Sequence, residues 1–180
     1  MVTQLIISVD EQTIDSTLDE AYSAFLGDPQ HSIPLPVWLL ENPASPLSFP
    51  GQIYLREHDY LHILLDRGIS AEDEAFIVGF TMGNDPDTTG QHVHAFKFAA
   101  RILYPKPYRF TPAHLMFFDW GFRFGRRTTV KYLNKLDYSK YLRCRVTQLR
   151  EEFGIDIDAI QHLLGIAHNR PWLTAVIAPK

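Results

Sequence analysis

Helix start and stop signals divide this sequence into segments of helical length, and this punctuation constrains the fold more than any other feature. Thr17 is followed three residues later by Glu20, the spacing of a capping box. The segment then ends at Gly27, a residue that commonly follows the last turn of a helix. Ser70 precedes three consecutive acidic residues, which is typical of an N-cap followed by a favourably charged first turn.

The same signals predict most of the remaining chain to be helical. The predicted helices are residues 17–26, 52–66 with Gly68 as the stop, 70–82, 90–104, a segment starting at Thr111 and Pro112, 139–153 and 158–164. Five prolines between residues 34 and 50 leave room only for a short helix over 38–41. Strand-like alternation is weak and is confined to 4–9 and 173–178. The sequence therefore predicts an all-α protein, a single-domain compact bundle of about seven helices joined by Pro/Gly-rich turns.

Length and composition favour one domain over residues 1–180. The chain has 180 residues, of which 46% are hydrophobic, so it suits a single core and is unlike a disordered chain. A net charge of -4 gives no global electrostatic reason to bind nucleic acid, so we expect no such binding. The single Cys144 excludes an intramolecular disulfide and a cysteine zinc site. No signal peptide or membrane-spanning stretch is predicted, and we expect a cytoplasmic protein, soluble or peripheral to a membrane.

Four residues of types that bind metals fall close together in two neighbouring predicted helices. His58, Asp59 and His62 lie within an arc of roughly 100° on the helix over 52–66. Glu74 begins the next helix after a short turn. Two imidazoles at i and i+4 can bind one ion, and carboxylate oxygens complete a set suited to zinc, manganese or iron. The spacing predicts a divalent metal site.

Other interpretations of these residues stay open at this point. A histidine on a half-apolar helix is more often a hydrogen-bonded polar residue than a ligand, and acidic residues in a first turn often serve only the helix dipole, as Glu74 would. His92 and His94 point about 200° apart on one helix, so at most one of them can face a given site. His94 is a weak candidate for a proton donor or an outer-shell partner.

The motif and its surroundings resemble a known family. The letters HDYLH from His58 to His62, followed after eleven residues by Glu74, match the pattern HDxxH-x11-E of the Coq-four family of ubiquinone (coenzyme Q) biosynthesis proteins. The resemblance extends over about 28 residues, 55–82, with the sequence LREHDYLHILLDRGISAEDEAFIVGFTM. The distal half of the chain has no residue-by-residue match, and the chain is short for the family.

The resemblance implies an all-helical fold with a divalent ion held by His58, Asp59, His62 and Glu74. Zinc is the leading ion, with manganese, iron or magnesium as alternatives. The resemblance also implies an apolar groove for a prenylated quinone precursor or another isoprenoid lipid, contact with a membrane surface and association with other quinone-biosynthesis enzymes. Asp59 and Glu74 are the candidate catalytic carboxylates, and Asp59 could instead orient a histidine. A homodimer is one oligomeric state left open.

Three functional hypotheses follow. The first is metal-dependent replacement of the C1 carboxyl of a prenylated benzenoid precursor by a hydroxyl. The second is a non-catalytic lipid-binding scaffold that organises quinone-biosynthesis enzymes. The third is a metal-dependent hydrolase, since HDxxH resembles the zinc-peptidase motif HExxH, although aspartate is one methylene shorter than the glutamate that serves there as general base. A phosphohydrolase would need further ligands that the sequence does not identify.

An aromatic segment between residues 110 and 127 could line a lipid tail or form ordinary core. Its members are Phe110, Phe117, Phe118, Trp120, Phe122 and Phe124, followed by Arg123, Arg126 and Arg127. The arginines could hold an anionic head group, or they could simply complement the dipole at a solvated helix end. The core interpretation is the more common one for such a pattern.

Overall fold

Seven α-helices make up most of residues 16–25, 37 and 40–169, the part of the chain that this computed structural model describes, with side chains to residue 165. They are α1 (Leu18–Ala24), α2 (Leu55–Leu64), α3 (Ala71–Asn84), α4 (Gly90–Ile102), α5 (Pro112–Arg127), α6 (Val146–Phe153) and α7 (Ile157–Asn169). These residues contain no β-strand, only an isolated bridge between Thr17 and Arg145. The prediction of an all-α bundle is confirmed, whereas the strand-like segments 4–9 and 173–178 lie outside the described residues.

The helix starts predicted at Thr17 and Ser70 are confirmed in their hydrogen bonding. The Glu20 carboxylate accepts a hydrogen bond from the Thr17 backbone N–H at 2.9 Å, and the Thr17 hydroxyl accepts one from the Glu20 N–H. The Ser70 hydroxyl likewise accepts from the Asp73 N–H at 3.2 Å at the start of α3. Each cap satisfies a first-turn N–H that has no partner within its own helix.

The prediction of one helix over 139–153 is wrong, because only α6 within it is α-helical. The preceding chain forms a 3-10 turn at Tyr138–Lys140, continues through further turns and becomes extended only at Arg145. Two carbonyls of this stretch, those of Leu142 and Cys144, accept hydrogen bonds from the first N–H groups of α1 at 3.0 Å. The stretch therefore completes the start of α1 rather than continuing α6 backwards.

Helix α2 ends earlier than predicted, and Gly68 is not its stop. Asp66 adopts a left-handed backbone conformation with φ of 53° just after the helix. The Arg67 N–H then donates to the His62 carbonyl at 2.8 Å, the pattern of a Schellman closure. This tight reversal makes α2 and α3 neighbours across a short connection.

Paired glycines bring α3 and α5 into backbone contact, and this is the most extensive helix pair in the described chain. A Cβ on Gly79 would overlap the carbonyl oxygen of Phe118, and one on Gly83 would overlap that of Phe122. Gly121 and Gly125 meet the backbone of α3 in the same way. The absence of side chains at these four positions sets the separation of the two helices.

Arg150 of α6 fixes the C-terminal end of α2. Its buried guanidinium donates from Nε to the Leu64 carbonyl and from Nη2 to the Ile63 carbonyl, both at 2.9 Å. A cation at this end also complements the helix dipole. Buried residues of α1 to α7 form one hydrophobic core. None of the described helices combines the length and apolar composition needed to cross a bilayer.

Candidate metal centre

His58, His62 and Glu74 converge where α2 faces the start of α3. His58 Nε2 lies 3.5 Å from Glu74 Oε2, and His62 Nε2 lies 3.3 Å from Glu74 Oε1. The two imidazole rings meet edge to face with centroids 4.6 Å apart. The His62 side chain is 1% exposed, whereas that of Glu74 is 37% exposed. The site therefore has a buried floor and one accessible carboxylate.

This geometry fits a metal ion. One ligand atom from each of the three residues lies within 4.8 Å of the other two. Donor atoms bound about 2.1 Å from a tetrahedral ion are separated by roughly 3.4 Å, close to both His–Glu distances. Two histidines and one carboxylate with a further open position form a donor set used by catalytic zinc and by non-haem iron. The described residues thus supply three ligands and leave room for another.

Asp59 is placed differently from the other three sequence-predicted ligands. It is 9% exposed and lines the same cavity, but it is not part of the three-residue group of close donor atoms. Its negative charge favours the protonated form of His62. Neighbouring residues on a helix point about 100° apart, which places Asp59 beside His58 rather than over it. The prediction that Asp59 is a ligand stays a prediction, and orientation of a histidine is its other proposed role.

The charges of the cluster oppose the effect of burial. Burial lowers the pKa of His58 to about 4, against the charge of Glu74. Burial also acts to lower the pKa of His62, but the hydrogen bond and the charge of Glu74 outweigh it and raise that pKa overall. The two histidines in turn hold the pKa of Glu74 below its usual value although burial acts to raise it. A neutral His58 and an ionised Glu74 are the forms that bind metal.

The packing around His62 holds its ring in place. Phe25 stacks on the imidazole with centroids 5.6 Å apart. Nδ1 is buried and has no well-formed hydrogen bond among the described residues, although the backbone of Gly68 contributes to favouring the protonated ring. Metal-bound histidines usually donate a hydrogen bond from the N–H of their second ring nitrogen to a carbonyl or a carboxylate. The Gly68 backbone acts on the ring in the sense that this role requires.

The cluster forms part of the wall of a cavity of about 270 Å³. Most of the remaining wall is apolar and comes from several elements. Its apolar members are Val37, Ile53, Leu55, Ile69, Ala71, Val78, Pro107 and Phe110. A volume of this size accommodates an aromatic ring or a short hydrocarbon segment beside the cluster.

Sequence reasoning missed a second polar group in the cavity wall. Tyr104 donates a short hydrogen bond from its hydroxyl to Glu41 Oε1, and both residues line the cavity together with Arg109. Burial raises the pKa of Glu41 to about 7, and the hydrogen bond from Tyr104 offsets this only in part. No spacing signal links two residues 63 positions apart in the chain.

The weaker candidates have local structural roles. His92 completes the capping box of α4 with Thr89, and the exposed His94 contacts the Gly90 carbonyl through Nδ1 at 2.6 Å. Phe117 and Phe118 are buried in the core, which is the common interpretation of the aromatic segment. Arg126 donates to the Thr88 carbonyl and lies over the Phe122 ring. Phe110 alone of the aromatic segment lines the cavity.

Comparison with known proteins adds no relative. No protein-family model matches the chain, and neither the curated proteins nor the solved structures contain a significant match. The site is therefore defined by its own geometry. The chain is an all-α protein with a His-His-Glu cluster at the wall of a largely apolar cavity.

Proposed function

We propose that this protein is a metal-dependent enzyme of quinone biosynthesis that acts on a prenylated benzenoid precursor and replaces its C1 carboxyl by a hydroxyl. The observation that carries the proposal is the convergence of His58, His62 and Glu74 on the wall of an apolar cavity. The HDxxH-x11-E motif, which resembles that of the Coq-four family, supports the choice of substrate class. The conversion releases carbon dioxide: water supplies the new hydroxyl oxygen, and dioxygen accepts the two electrons and leaves as hydrogen peroxide.

The residues of the site divide this work between them. His58, His62 and Glu74 would hold a divalent ion, which supplies Lewis acidity toward a carboxylate or phenolate oxygen when bound. We propose zinc as the ion, with manganese, iron or magnesium as alternatives. The apolar wall around Ile53, Val78 and Phe110 keeps water from the ring and accepts its hydrocarbon substituent.

Elemental analysis combined with native mass spectrometry tests the proposal in one experiment. We expect the gently purified protein to carry one divalent ion per chain and to retain an isoprenoid molecule. The metal-loaded protein should then release carbon dioxide from 3-geranyl-4-hydroxybenzoate in the presence of dioxygen. A protein that stays metal-free after incubation with each of the four ions contradicts the proposal.

The scaffold hypothesis is the second candidate, and the surface beside the cavity favours it. Ile102 and Leu103 are 53% and 57% exposed at the end of α4, and the cavity-lining Tyr108 is also exposed. Exposed cations at Lys106 and Arg109 flank them. Such a mixture suits contact with a lipid surface or with partner enzymes. Tight binding of the geranyl compound without any release of carbon dioxide would favour the scaffold over the enzyme.

A further inference from the structure

A carboxyl group and a phenol form a second polar pole in the cavity. Glu41 lies just before a turn, where its carbonyl accepts a hydrogen bond from the Ile53 N–H at 3.1 Å. Tyr104 follows α4, and its carbonyl accepts from Arg109 Nε at 2.7 Å. These backbone contacts fix both residues, and the Tyr104 hydroxyl then donates to Glu41 Oε1. The pole is held in place from two distant parts of the chain.

The Glu41–Tyr104 pair leaves one carboxylate oxygen of Glu41 for a further hydrogen bond. No lysine, arginine or histidine pairs with Glu41 among the described residues, and its nearby charge, Glu74, is of the same sign. Tyr104 is 2% exposed and its hydroxyl is used on Oε1, which leaves Oε2 without a partner in the described part of the chain. Glu41 is half-buried, and a carboxyl group that lines a largely apolar cavity without a cation is costly, so a purely structural role would be served better by an apolar residue.

The geometry points to Glu41 as the group that recognises a hydroxyl substituent on the ring of the ligand, an inference that rests on the proposed function. Glu41 bonds the ring hydroxyl through Oε2 while Tyr104 holds the carboxyl group in place. His58 and Glu74 line the same cavity, so one ring can present a carboxylate to the metal cluster and a hydroxyl to Glu41. The cavity would therefore select hydroxylated benzenoid acids over acids without the hydroxyl.

Calorimetric titration with two probes tests this selectivity. The probes are 3-geranyl-4-hydroxybenzoate and 3-geranylbenzoate, added without dioxygen to the zinc-loaded wild-type protein and to Glu41→Gln, Glu41→Leu and Tyr104→Phe. We expect wild-type protein to prefer the hydroxylated probe by about tenfold, the effect of one buried hydrogen bond. Glu41→Leu should abolish the preference, while Glu41→Gln and Tyr104→Phe should reduce it. Glu152→Gln, a change of an exposed glutamate on α6, is the matched control and should leave it unchanged.

Zinc content, measured on every variant, separates the possible failures. Full zinc content in Glu41→Leu shows that the variant is folded and that Glu41 is not a ligand. Equal affinity of zinc-loaded wild-type protein for the two probes overturns the role of Glu41 in recognising the hydroxyl but leaves the metal site in place. Loss of zinc from Glu41→Gln also overturns that role, because it would make Glu41 part of the metal site. Wild-type protein that binds no metal overturns the proposed function itself.

Discussion

At the scale of single residues, the cavity holds two titratable groups whose effects on stability run in opposite directions. The pKa of His58 is lowered to about 4, so between pH 6.5 and 4.5 the unfolded chain takes up a proton that the folded chain does not. The pKa of Glu41 is raised to about 7, so over the same interval the folded chain holds a proton at Glu41 that the unfolded chain largely lacks. Acidification therefore costs stability at His58 and adds stability at Glu41.

Replacing His58 or Glu41 should remove its own contribution to the pH dependence of the free energy of unfolding and leave that of the other residue. The stabilisation from His62, whose pKa is raised, is fully present below pH 6.5, and that from Glu74, whose pKa is lowered, is fully present above pH 4.5. We expect metal-free His58→Gln protein to gain stability relative to wild type as the pH falls from 6.5 to 4.5, by up to about 1.4 kcal/mol per pH unit. Glu41→Gln protein should lose stability by a similar amount.

Urea unfolding at pH 6.5, 5.5 and 4.5, with a chelator present, measures this effect. The difference in free energy of unfolding between each variant and wild type is the relevant quantity, because groups that do not interact with the replaced residue cancel from it. A pH-independent difference for His58→Gln would show that His58 is solvated in the folded protein and would contradict its buried placement.

At the scale of helices, the close contact of α3 with α5 leads us to expect opposite effects on stability when two different glycines are replaced by alanine. Gly79→Ala would place a methyl group against the Phe118 carbonyl, and we expect it to destabilise the protein by about 1–3 kcal/mol or more. Gly90→Ala, in the first turn of α4, has no atom within 4 Å of the new methyl group. The control substitution should be neutral or stabilising by up to about 1 kcal/mol, because alanine favours helix. Thermal and urea unfolding of both variants decide the matter, and equal effects would contradict the close packing.

The anchor from α6 to α2 should matter both for stability and for the site. Arg150→Met would leave the Ile63 and Leu64 carbonyls without their donor, and we expect a loss of about 2–3 kcal/mol. Because α2 carries His58 and His62, metal affinity should fall as well. The exposed Arg143 offers a matched substitution to methionine that should change neither quantity. Wild-type zinc affinity in Arg150→Met would show that α2 is positioned without this anchor.

Helix starts were predictable from the sequence because caps are local. Thr17, Ser70 and Thr111 each satisfy an N–H within three residues, so the signal and the structure coincide. The prediction of one helix over 139–153 was wrong because of a distant segment. Carbonyls in this stretch accept hydrogen bonds from the first N–H groups of α1. The predicted stop of α2 at Gly68 was wrong for another reason. The left-handed residue that ends the helix is Asp66, and aspartate takes this conformation only occasionally, whereas glycine takes it readily.

At the scale of the whole molecule, the sequence predicted the wall of the cavity that carries His58, His62 and Glu74, but not the wall that carries Glu41. His58 and His62 share a helix face, and Glu74 follows one short turn later, so periodicity alone brings them together. Glu41 and Tyr104 meet through tertiary packing, for which the chain carries no local signal. The two GxxxG patterns at Gly79–Gly83 and Gly121–Gly125 were a usable signal of close helix packing that the sequence reasoning did not take up.

Zinc titration of the chelator-stripped protein tests the central claim, that His58, His62 and Glu74 form a metal site. We predict one zinc ion per chain in wild type and in the exposed control Glu152→Gln. In His62→Ala and Glu74→Gln, affinity should fall by more than the roughly 10- to 100-fold that changes to outer-shell partners already cost. Equal zinc binding by wild type and both ligand variants, or none by wild type, would contradict the account and leave the cluster as a buried ion pair.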